Sequence, residues 1–438
     1  MDEVLKIPSI KIRQIFFLLA LGIIPFYVIA RLTQYKFFFI YTAFVFYNLL
    51  ILSFYYRKAL FYTVKNNVLM IGLFASFYVS SVWSINRGEV LWSSFVVTIY
   101  LLVYMIFCFI VVNYTHKDIE GIYMFIPVFL FVLNVVLIYK YGNIRVETVQ
   151  VNEFIISRGG EATDLIGIER VRDVLRSFPN HMVALVEVCI PFLLYFIKFQ
   201  RRKLFLYMIL ALALFDVFIS QSLSAYAVLI IVLVMTSLMY SRNAFRFIKY
   251  MFAMLLVVGI IFSVLLAIPR TNRFINITWY RLTRFSDNVQ TFVEGGEEEA
   301  GNRIKMYKTG FKIIRKHPVL GVGFDNFGAY MQKIYGFEVI SHNVIFTVWT
   351  GSGIIGLILF LSIIFKAFKN LWRKHKHYYR SNPELSYWFL ANWIALLLLL
   401  IHGQTRPLLN NPVFYLPLAV GLMSKDTASG EEEYLKRA

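Results

Sequence analysis

Residues 91–113 read LWSSFVVTIYLLVYMIFCFIVVN, a stretch without a charged side chain. About 20 consecutive apolar residues are enough for a helix to cross a lipid bilayer. Eleven comparable runs accompany it, at approximately 14–30, 37–56, 67–84, 121–139, 181–197, 204–220, 222–240, 250–268, 344–365, 386–401 and 410–424. The sequence therefore predicts an all-α, polytopic membrane protein with about 12 transmembrane helices in a single transmembrane domain, residues 1–438.

The overall composition points the same way. Hydrophobic residues make up 59% of the chain and charged residues 16%, whereas a soluble domain carries about 25% charged residues. The first apolar run lacks a small-residue cleavage site, so a retained helix is expected and not a signal peptide. Cys108 and Cys189 both lie within apolar runs, which indicates small core residues and neither a disulfide nor a metal site.

The net charge of +19 is distributed unevenly along the chain. All 44 Lys and Arg residues fall outside the twelve runs. With a cytoplasmic N-terminus, the cytoplasmic segments, including the loops 57–66 and 366–380, hold 23 basic residues and the short outer loops hold 4. This positive-inside asymmetry predicts an inner-membrane protein with both termini in the cytoplasm. The basic character is therefore a topology signal, and no nucleic-acid partner is expected.

Two long segments on the outer side break this pattern. The outer loop 140–180 holds 6 basic and 6 acidic residues, and the large outer loop 269–343, between the ninth and tenth runs, holds 11 basic and 7 acidic residues. Structureless loops of this length are uncommon unless they are functional. Apolar residues recur with helical spacing from Ile304 to Ile314, and Pro318 ends the pattern, so we predict an amphipathic helix at about 302–317 on the outer membrane surface.

The outer segments are rich in arginine, which binds phosphate oxygens bidentately and suggests an anionic ligand. Attraction to lipid headgroups is the alternative for any one of them. The candidates are Arg170, Arg172, Arg270, Arg273, Arg281, Arg284, Arg303 and Arg406. Only Glu187 and Asp216 are acids within apolar runs; such charges are functional candidates, and a structural ion pair with loop arginines is the competing interpretation.

Histidines supply candidate proton acceptors at the outer face. His342 lies between Ser341 and Asn343 at the start of the tenth run, and His181 follows Asn180 at the start of the sixth. Each is either a helix-end residue or a base for a hydroxyl group. His402, at the end of the eleventh run, is expected to lie at the membrane interface. Metal-ligand spacing, a Walker loop and a dinucleotide-binding glycine pattern are all absent, so we expect no cofactor, metal or nucleotide.

An ordered set of motifs occupies residues 301–357. Gly301-Asn302-Arg303 is followed, after thirteen residues, by His317-Pro318-Val319-Leu320-Gly321-Val322-Gly323, and then by Phe327, Ser341-His342-Asn343 and Gly353-Ile354-Ile355-Gly356-Leu357. With Pro179-Asn180 ahead of an apolar run that contains Pro191, this order resembles the O-antigen ligase and O-antigen polymerase superfamily of lipid-linked glycan enzymes. The membrane pattern is similar over nearly the whole chain, and the motifs over about 301–357 and 170–191.

The resemblance implies metal-independent glycosyl transfer from an undecaprenyl-diphosphate-linked saccharide on the outer face of the bacterial inner membrane. It identifies Arg303 and His342 as the functional positions. Arginines stabilise the charge of the diphosphate leaving group, and a histidine activates the acceptor hydroxyl. We add Arg172, Arg270 and Arg406 as further diphosphate ligands. The residues expected to support the site or to bind the acceptor are Glu187, Asn180, Asn343 and Asp216.

One segment departs from the superfamily pattern. Ligases often carry an arginine in a Ser-Arg-Gly-like turn between the seventh and eighth runs, but this chain has Ser220-Gln221-Ser222-Leu223-Ser224-Ala225. The departure favours a polymerase that joins repeat units into O-antigen, capsule or exopolysaccharide. The alternative is a ligase that transfers the glycan to lipid A-core or to a protein hydroxyl. The expected partners are the lipid-linked donor, a glycan or lipid A-core acceptor, membrane lipids and a chain-length regulator.

A lipid-linked glycan flippase is the second alternative, because twelve helices suit a transporter. Transporters place binding groups near the membrane midplane, on broken helices that belong to paired repeats. Here no Lys or Arg lies within an apolar run and no repeated halves are detectable. The longest loop lies outside the membrane, which favours an enzyme.

Overall fold

The computed structural model describes residues 21–30, 38–141, 179–200, 203–219, 223–241, 245–249, 252, 256, 259, 263, 302–336, 341–404 and 408–423. Every regular element within these residues is helical. The α-helices are α1 (Leu21–Ala30), α2 (Phe38–Tyr55), α3 (Arg57–Asn66), α4 (Val68–Val79), α5 (Arg87–Asn113), α6 (His116–Tyr141), α7 (Pro179–Phe199), α8 (Lys203–Ile219), α9 (Leu223–Tyr240), α10 (Asn302–Lys316), α11 (Phe327–Tyr335), α12 (Val344–Tyr378), α13 (Pro383–His402) and α14 (Pro412–Met423). A 3-10 turn, Ser80–Trp83, links α4 to the loop before α5.

Several of these helices suit a membrane. Among the described residues, four are long and apolar enough to cross one, namely α2, α5, α12 and α13. A fifth span is formed if the bent pair Leu60–Asn66 and Val68–Trp83 is counted as one. The all-α membrane class is therefore confirmed. The count of twelve spans stays a prediction, and most of the run 250–268 lies outside the described residues.

The centre of the bundle is built around α7 and α13. Helix α13 packs against α7, α12 and α14, and α7 packs against α6 and α8. In the most apolar 18-residue stretch of α13, 78% of the residues are buried, whereas the corresponding share in α2 is only 28%. An α-helix that is apolar all round is stable where protein surrounds it or where lipid does. Helix α13 is thus a central helix, and α2 presents most of its surface to the surroundings of the bundle.

Two segments predicted to be cytoplasmic loops are helical instead. Residues 57–66 form α3, and the segment 366–380 is largely the continuation of α12 to Tyr378. The extension of α12 is held because Ala367, Leu371 and Tyr378 recur at helical spacing and are buried. The prediction missed this stripe because six basic residues lie among these positions and interrupt the apolar run.

Candidate active site

Helix α12 is broken near its start, at Gly353. This glycine has φ 66° and ψ −162°, which is not a helical conformation. A break inside an apolar helix exposes backbone donors and acceptors, and these must find partners elsewhere in the protein. Here the partners come from the segment Pro318–Gly323. The amide of Val322 donates to the carbonyl of Thr350 (2.8 Å), and the amide of Ile354 donates to the carbonyl of Pro318 (2.9 Å).

The glycines of the Pro-x-x-Gly-x-Gly motif permit this docking. A third bond joins the amide of Gly323 to the carbonyl of Gly351 (3.0 Å). A Cβ atom on Gly353 would lie 2.0 Å from the carbonyl oxygen of Val319, and one on Gly321 would lie 2.6 Å from that of Gly351. Gly321 and Gly323 of the motif therefore face Gly351 and Gly353 of α12 across one backbone-to-backbone contact. The motif functions here as a docking turn.

The far side of the docking turn is held by the α4–α5 corner. The amide of Phe324 donates to the hydroxyl of Ser80 (2.9 Å), and the Phe324 ring stacks on Phe77 with a centroid distance of 4.0 Å. The side-chain amide of Asn326 donates to the hydroxyl of Ser84 (3.0 Å). Contacts on two sides, to α12 and to this corner, fix the turn in the bundle.

Helix α10 packs against the first turn of α12. The ring of Phe346 lies 5.5 Å from that of Tyr307 and 5.2 Å from that of Phe311. Gly310 faces the same ring, because a Cβ there would lie 2.6 Å from it. Met306 is buried in a small cluster shared with the docking turn and α11. The amphipathic helix is thus tied directly to the start of α12.

The start of α12 carries His342 and Asn343. Asn343 caps the helix, since its side-chain oxygen accepts from the amide of Phe346 (3.0 Å). Its side-chain NH₂ donates to the side-chain oxygen of Gln404 (2.9 Å), and the amide of Val344 donates to the carbonyl of Gly403 (2.7 Å). Half-buried His342 has φ 47°. A left-handed conformation is uncommon for residues other than glycine, and it persists where the surrounding structure enforces it.

A buried pair of titratable side chains lies just beneath this segment. Glu187 on α7 is 1% exposed and His402, the last residue of α13, is 2% exposed. A Glu187 carboxylate oxygen lies 3.1 Å from Nδ1 of His402. His402 precedes Gly403 and Gln404, the two residues that bond to the start of α12. His402 is therefore buried in the protein against Glu187, and its place at the membrane interface stays a prediction.

The predicted site residues differ in how much the structure describes of them. His342, Asn343 and Glu187 are described in full: His342 and Asn343 directly precede α12, and Glu187 lies two turns into α7, where it contacts His402 at the end of α13. Arg303 occupies the first turn of α10, Asn180 the first turn of α7, and Asp216 the last turn of α8; for these three, only the backbone is described. Arg172, Arg270 and Arg406 lie outside the described residues, as do Arg170, Arg273, Arg281 and Arg284.

Sequence reasoning missed three polar residues that the structure brings to this end of the bundle. Gln404 bonds Asn343, and Asp325 accepts from the hydroxyl of Ser93 (3.0 Å). Asp325 shares with His342 a positive φ, 62°. A Gly-x-Gly turn followed by Asp-Asn was the available signal, because Asp and Asn tolerate this conformation better than most residues. Burial raises the pKa of a fourth residue nearby, Tyr330, whose ring lies 6.4 Å from that of His317.

These features define a helical membrane protein with an interlocked polar site at one end of its bundle. A family model described as O-antigen ligase matches residues 208–361, roughly a third of the chain. The matched segment contains α10, the docking turn, His342 and the break in α12. The match confirms the resemblance to the O-antigen ligase and polymerase superfamily, whose members are glycan-processing enzymes. No curated protein matches the chain.

Proposed function

We propose that this protein is a glycosyltransferase that polymerises undecaprenyl-diphosphate-linked oligosaccharide repeat units on the outer face of the bacterial inner membrane. One observation carries the proposal. Three motif segments that are separate in sequence, namely α10 with Arg303, the docking turn and His342-Asn343, interlock around the start of a single helix. A basic helix next to a histidine suits a reaction with an anionic leaving group and a hydroxyl acceptor.

The proposed reaction is a single displacement. The acceptor hydroxyl oxygen of one repeat unit forms a bond to the anomeric carbon of another, while the bond from that carbon to the diphosphate breaks. His342 takes the hydroxyl proton, and undecaprenyl diphosphate leaves with the bonding electrons. Arg303, with Arg172, Arg270 and Arg406, stabilises the negative charge on the diphosphate. The displacement inverts the anomeric configuration and needs no metal ion.

The surroundings of His342 support its role as the proton acceptor. His342 has a left-handed φ, and it is held there by the next residue, Asn343, which caps α12 and is bonded to Gln404. His402, the partner of Glu187, directly precedes Gly403, whose carbonyl accepts from Val344, and Gln404, whose side-chain oxygen accepts from Asn343. We therefore assign Glu187 and Asn343 to positioning His342, and Asn180 and Asp216 to the acceptor side of the site.

The position of Arg303 agrees with a role at the same site. Residue 303 lies one helical turn before Met306 and Tyr307, and two turns before Gly310. Met306 is buried, and both Tyr307 and Gly310 contact Phe346 or approach it closely. The part of α10 that lies one to two turns after Arg303 therefore contacts Phe346, which is four residues after His342.

A ligase is the second candidate, because the matching family model is described as O-antigen ligase. The missing arginine in Ser220–Ala225 argues for a polymerase instead. Deleting the gene separates the two activities. We expect single repeat units to accumulate on the lipid carrier, as loss of a polymerase requires. Long glycan retained on undecaprenyl diphosphate would instead identify a ligase.

The hydrogen bonding of the backbone groups at the break in α12 argues against a transporter. Transporters use the free backbone groups of such breaks to bind ions or substrate. In α12 the carbonyls of Thr350 and Gly351 and the amide of Ile354 are bonded to the docking turn. Two of the glycines at this contact would not accept a Cβ atom. The break is thus filled by protein backbone.

The site assignment is tested by the length of glycan on the lipid carrier in cells. We expect Arg303→Ala and His342→Ala each to shorten the glycan to single repeats at normal protein level. Lys312→Ala, an exposed basic residue on the same helix, and His377→Ala, an exposed histidine on α12, are matched controls. Normal long chains in both site variants would contradict the assignment.

A further inference from the structure

The axes of α3 and of α4, the helix that follows it, meet at a sharp bend. The segments Leu60–Asn66 and Val68–Trp83 are bent by 74° at Asn67. If α4 crosses the membrane, a helix bent by this angle runs nearly along the membrane surface. The positive-inside pattern assigns this end of the bundle to the cytoplasmic side. Helix α3 therefore has the geometry of an interfacial helix on the cytoplasmic leaflet.

The bend is built into the fold by a buried asparagine. Asn67 is 3% exposed, and its side-chain NH₂ donates to the carbonyl of Thr63 (2.7 Å) and to the sulfur of Met423 (3.2 Å). The hydroxyl of Tyr104 donates to its side-chain oxygen. Contacts to α3, α5 and α14 therefore hold the angle between α3 and α4.

A groove opens between α3 and its neighbours. It has a volume of about 430 Å³, and its lining is almost entirely apolar. Helix α2 contributes Phe46 and Leu50, α3 contributes Leu60 and Val64, and α5 contributes Leu101 and Met105. An apolar groove on the side of a membrane bundle accommodates a hydrocarbon chain.

Helix α3 also carries an exposed cationic face. Arg57, Lys58 and Lys65 are all exposed, and Phe61, 70% exposed, lies between the two lysines at helical spacing. An aromatic residue among basic residues is typical of helices that bind anionic lipid surfaces. The sequence holds no acidic residue from Arg31 to Gly88, so α2, α3 and α4 offer no carboxylate of their own to these cations.

We propose that the groove between α2, α3, α4 and α5 is a binding site for an anionic phospholipid of the cytoplasmic leaflet. One acyl chain occupies the groove, and the phosphate headgroup is bound by Arg57, Lys58 and Lys65. The site lies at the opposite end of the bundle from His342 in the predicted topology, and it is independent of the proposed glycosyl transfer.

The test uses purified full-length protein in detergent, titrated with phosphatidylglycerol or with phosphatidylcholine of identical acyl chains. Retained lipid is counted by native mass spectrometry, and the unfolding temperature is measured in parallel. We expect wild-type protein to retain one phosphatidylglycerol in preference to phosphatidylcholine and to gain thermal stability from it. Equal retention of both lipids by the wild type would overturn the proposal.

Two variants separate the headgroup from the chain. Arg57→Gln/Lys58→Gln/Lys65→Gln should weaken phosphatidylglycerol retention about tenfold or more. Ser53→Phe, which fills the groove without changing charge, should reduce it as well; Ser53 lines the groove and is exposed. The matched control Lys366→Gln/Lys369→Gln/Arg373→Gln removes three exposed charges from α12 and should bind as the wild type does. Undiminished retention by the first triple variant would also overturn the proposal.

Discussion

Gly353 and Gly321 show how single residues set the geometry of the candidate site. Each has a positive φ, and each faces backbone atoms of the other segment at distances that exclude a Cβ atom. The break at Gly353 leaves backbone amide and carbonyl groups of α12 without partners in the helix, and these groups form hydrogen bonds with the docking turn instead. The segment that begins with Pro318 is thereby fixed beside the helix that carries His342.

Replacing Gly353 with alanine should therefore destabilise the protein strongly. The substitution forces a non-glycine residue into a glycine-only conformation, at about 1–3 kcal/mol, and drives Cβ into the Val319 carbonyl. We expect a marked fall in unfolding temperature in detergent and loss of activity. Gly121→Ala on α6 is the control, since nothing lies within 4 Å of its Cβ position. A wild-type unfolding temperature for Gly353→Ala would contradict the docking role.

Asn343 combines a helix cap with a contact between helices. Asn343→Ala removes both the cap and the bond to Gln404, so we expect it to cost about 1–2 kcal/mol of stability and to reduce glycan transfer. Asn343→Asp keeps the capping oxygen and loses only the NH₂ donor. Its stability should lie between those of the wild type and Asn343→Ala. Chemical denaturation in detergent measures the order, and equal stability of all three proteins would refute it.

The candidate site residues could be proposed from sequence, but their partners could not be predicted. Motif order singled out His342 and Asn343 because they are close to each other and to a helix start. The bond from Asn343 to Gln404 spans 61 positions, and the bond from Phe324 to Ser80 spans 244. Such pairings depend on which helices become neighbours. An apolar helix records little of that in its sequence, because apolar residues suit both lipid and protein contacts.

At the level of helices, the Glu187–His402 pair joins α7 to α13 at the centre of the bundle. Both side chains are buried, so each depends on the other to offset the loss of hydration. Sequence reasoning recognised Glu187 as a rare intramembrane acid. It did not identify His402 as the partner of this acid, because a histidine at the end of an apolar run carries no sign of the side chain that it contacts.

Removing one member of this pair should destabilise the contact between α7 and α13. Glu187→Ala leaves His402 without its carboxylate partner, and we expect a loss of about 1–3 kcal/mol of stability. Lys312→Ala, an exposed charged residue on α10, should change stability little. The two variants are compared by chemical denaturation. Equal effects would show that the Glu187–His402 contact does not hold the helices together.

The helices themselves were largely predictable because each apolar run is long enough to be helical in a membrane. The failures at 57–66 and 366–380 share a physical cause. Both helices are buried along one side, and basic residues interrupt the apolar pattern while the helix continues; most of these lie on the exposed side, whereas Lys374 is buried. Thr63 and Tyr56 anchor the first of them, and Leu371 anchors the second.

On the scale of the whole molecule, orientation rests on the distribution of basic residues. The orientation is testable because Cys108 and Cys189 are both fully buried and free. We expect the wild type to resist a membrane-impermeant maleimide. Lys312→Cys, exposed on α10, should react in intact spheroplasts, whereas Lys376→Cys, exposed at the end of α12, should react only after permeabilisation. The reverse pattern would invert the topology and move the candidate site to the cytoplasm.

The central claim is that the interlocked end of the bundle polymerises lipid-linked repeat units. The most direct measurement is the length of product formed by purified wild-type, Arg303→Ala and His342→Ala proteins from a defined undecaprenyl-diphosphate-linked repeat unit, with and without a chelator. We predict that the wild type makes a ladder of longer lipid-linked glycans that the chelator leaves unchanged, and that neither variant does. A wild-type protein that leaves the repeat unit unextended, or variants that extend it as well as the wild type, would contradict the account.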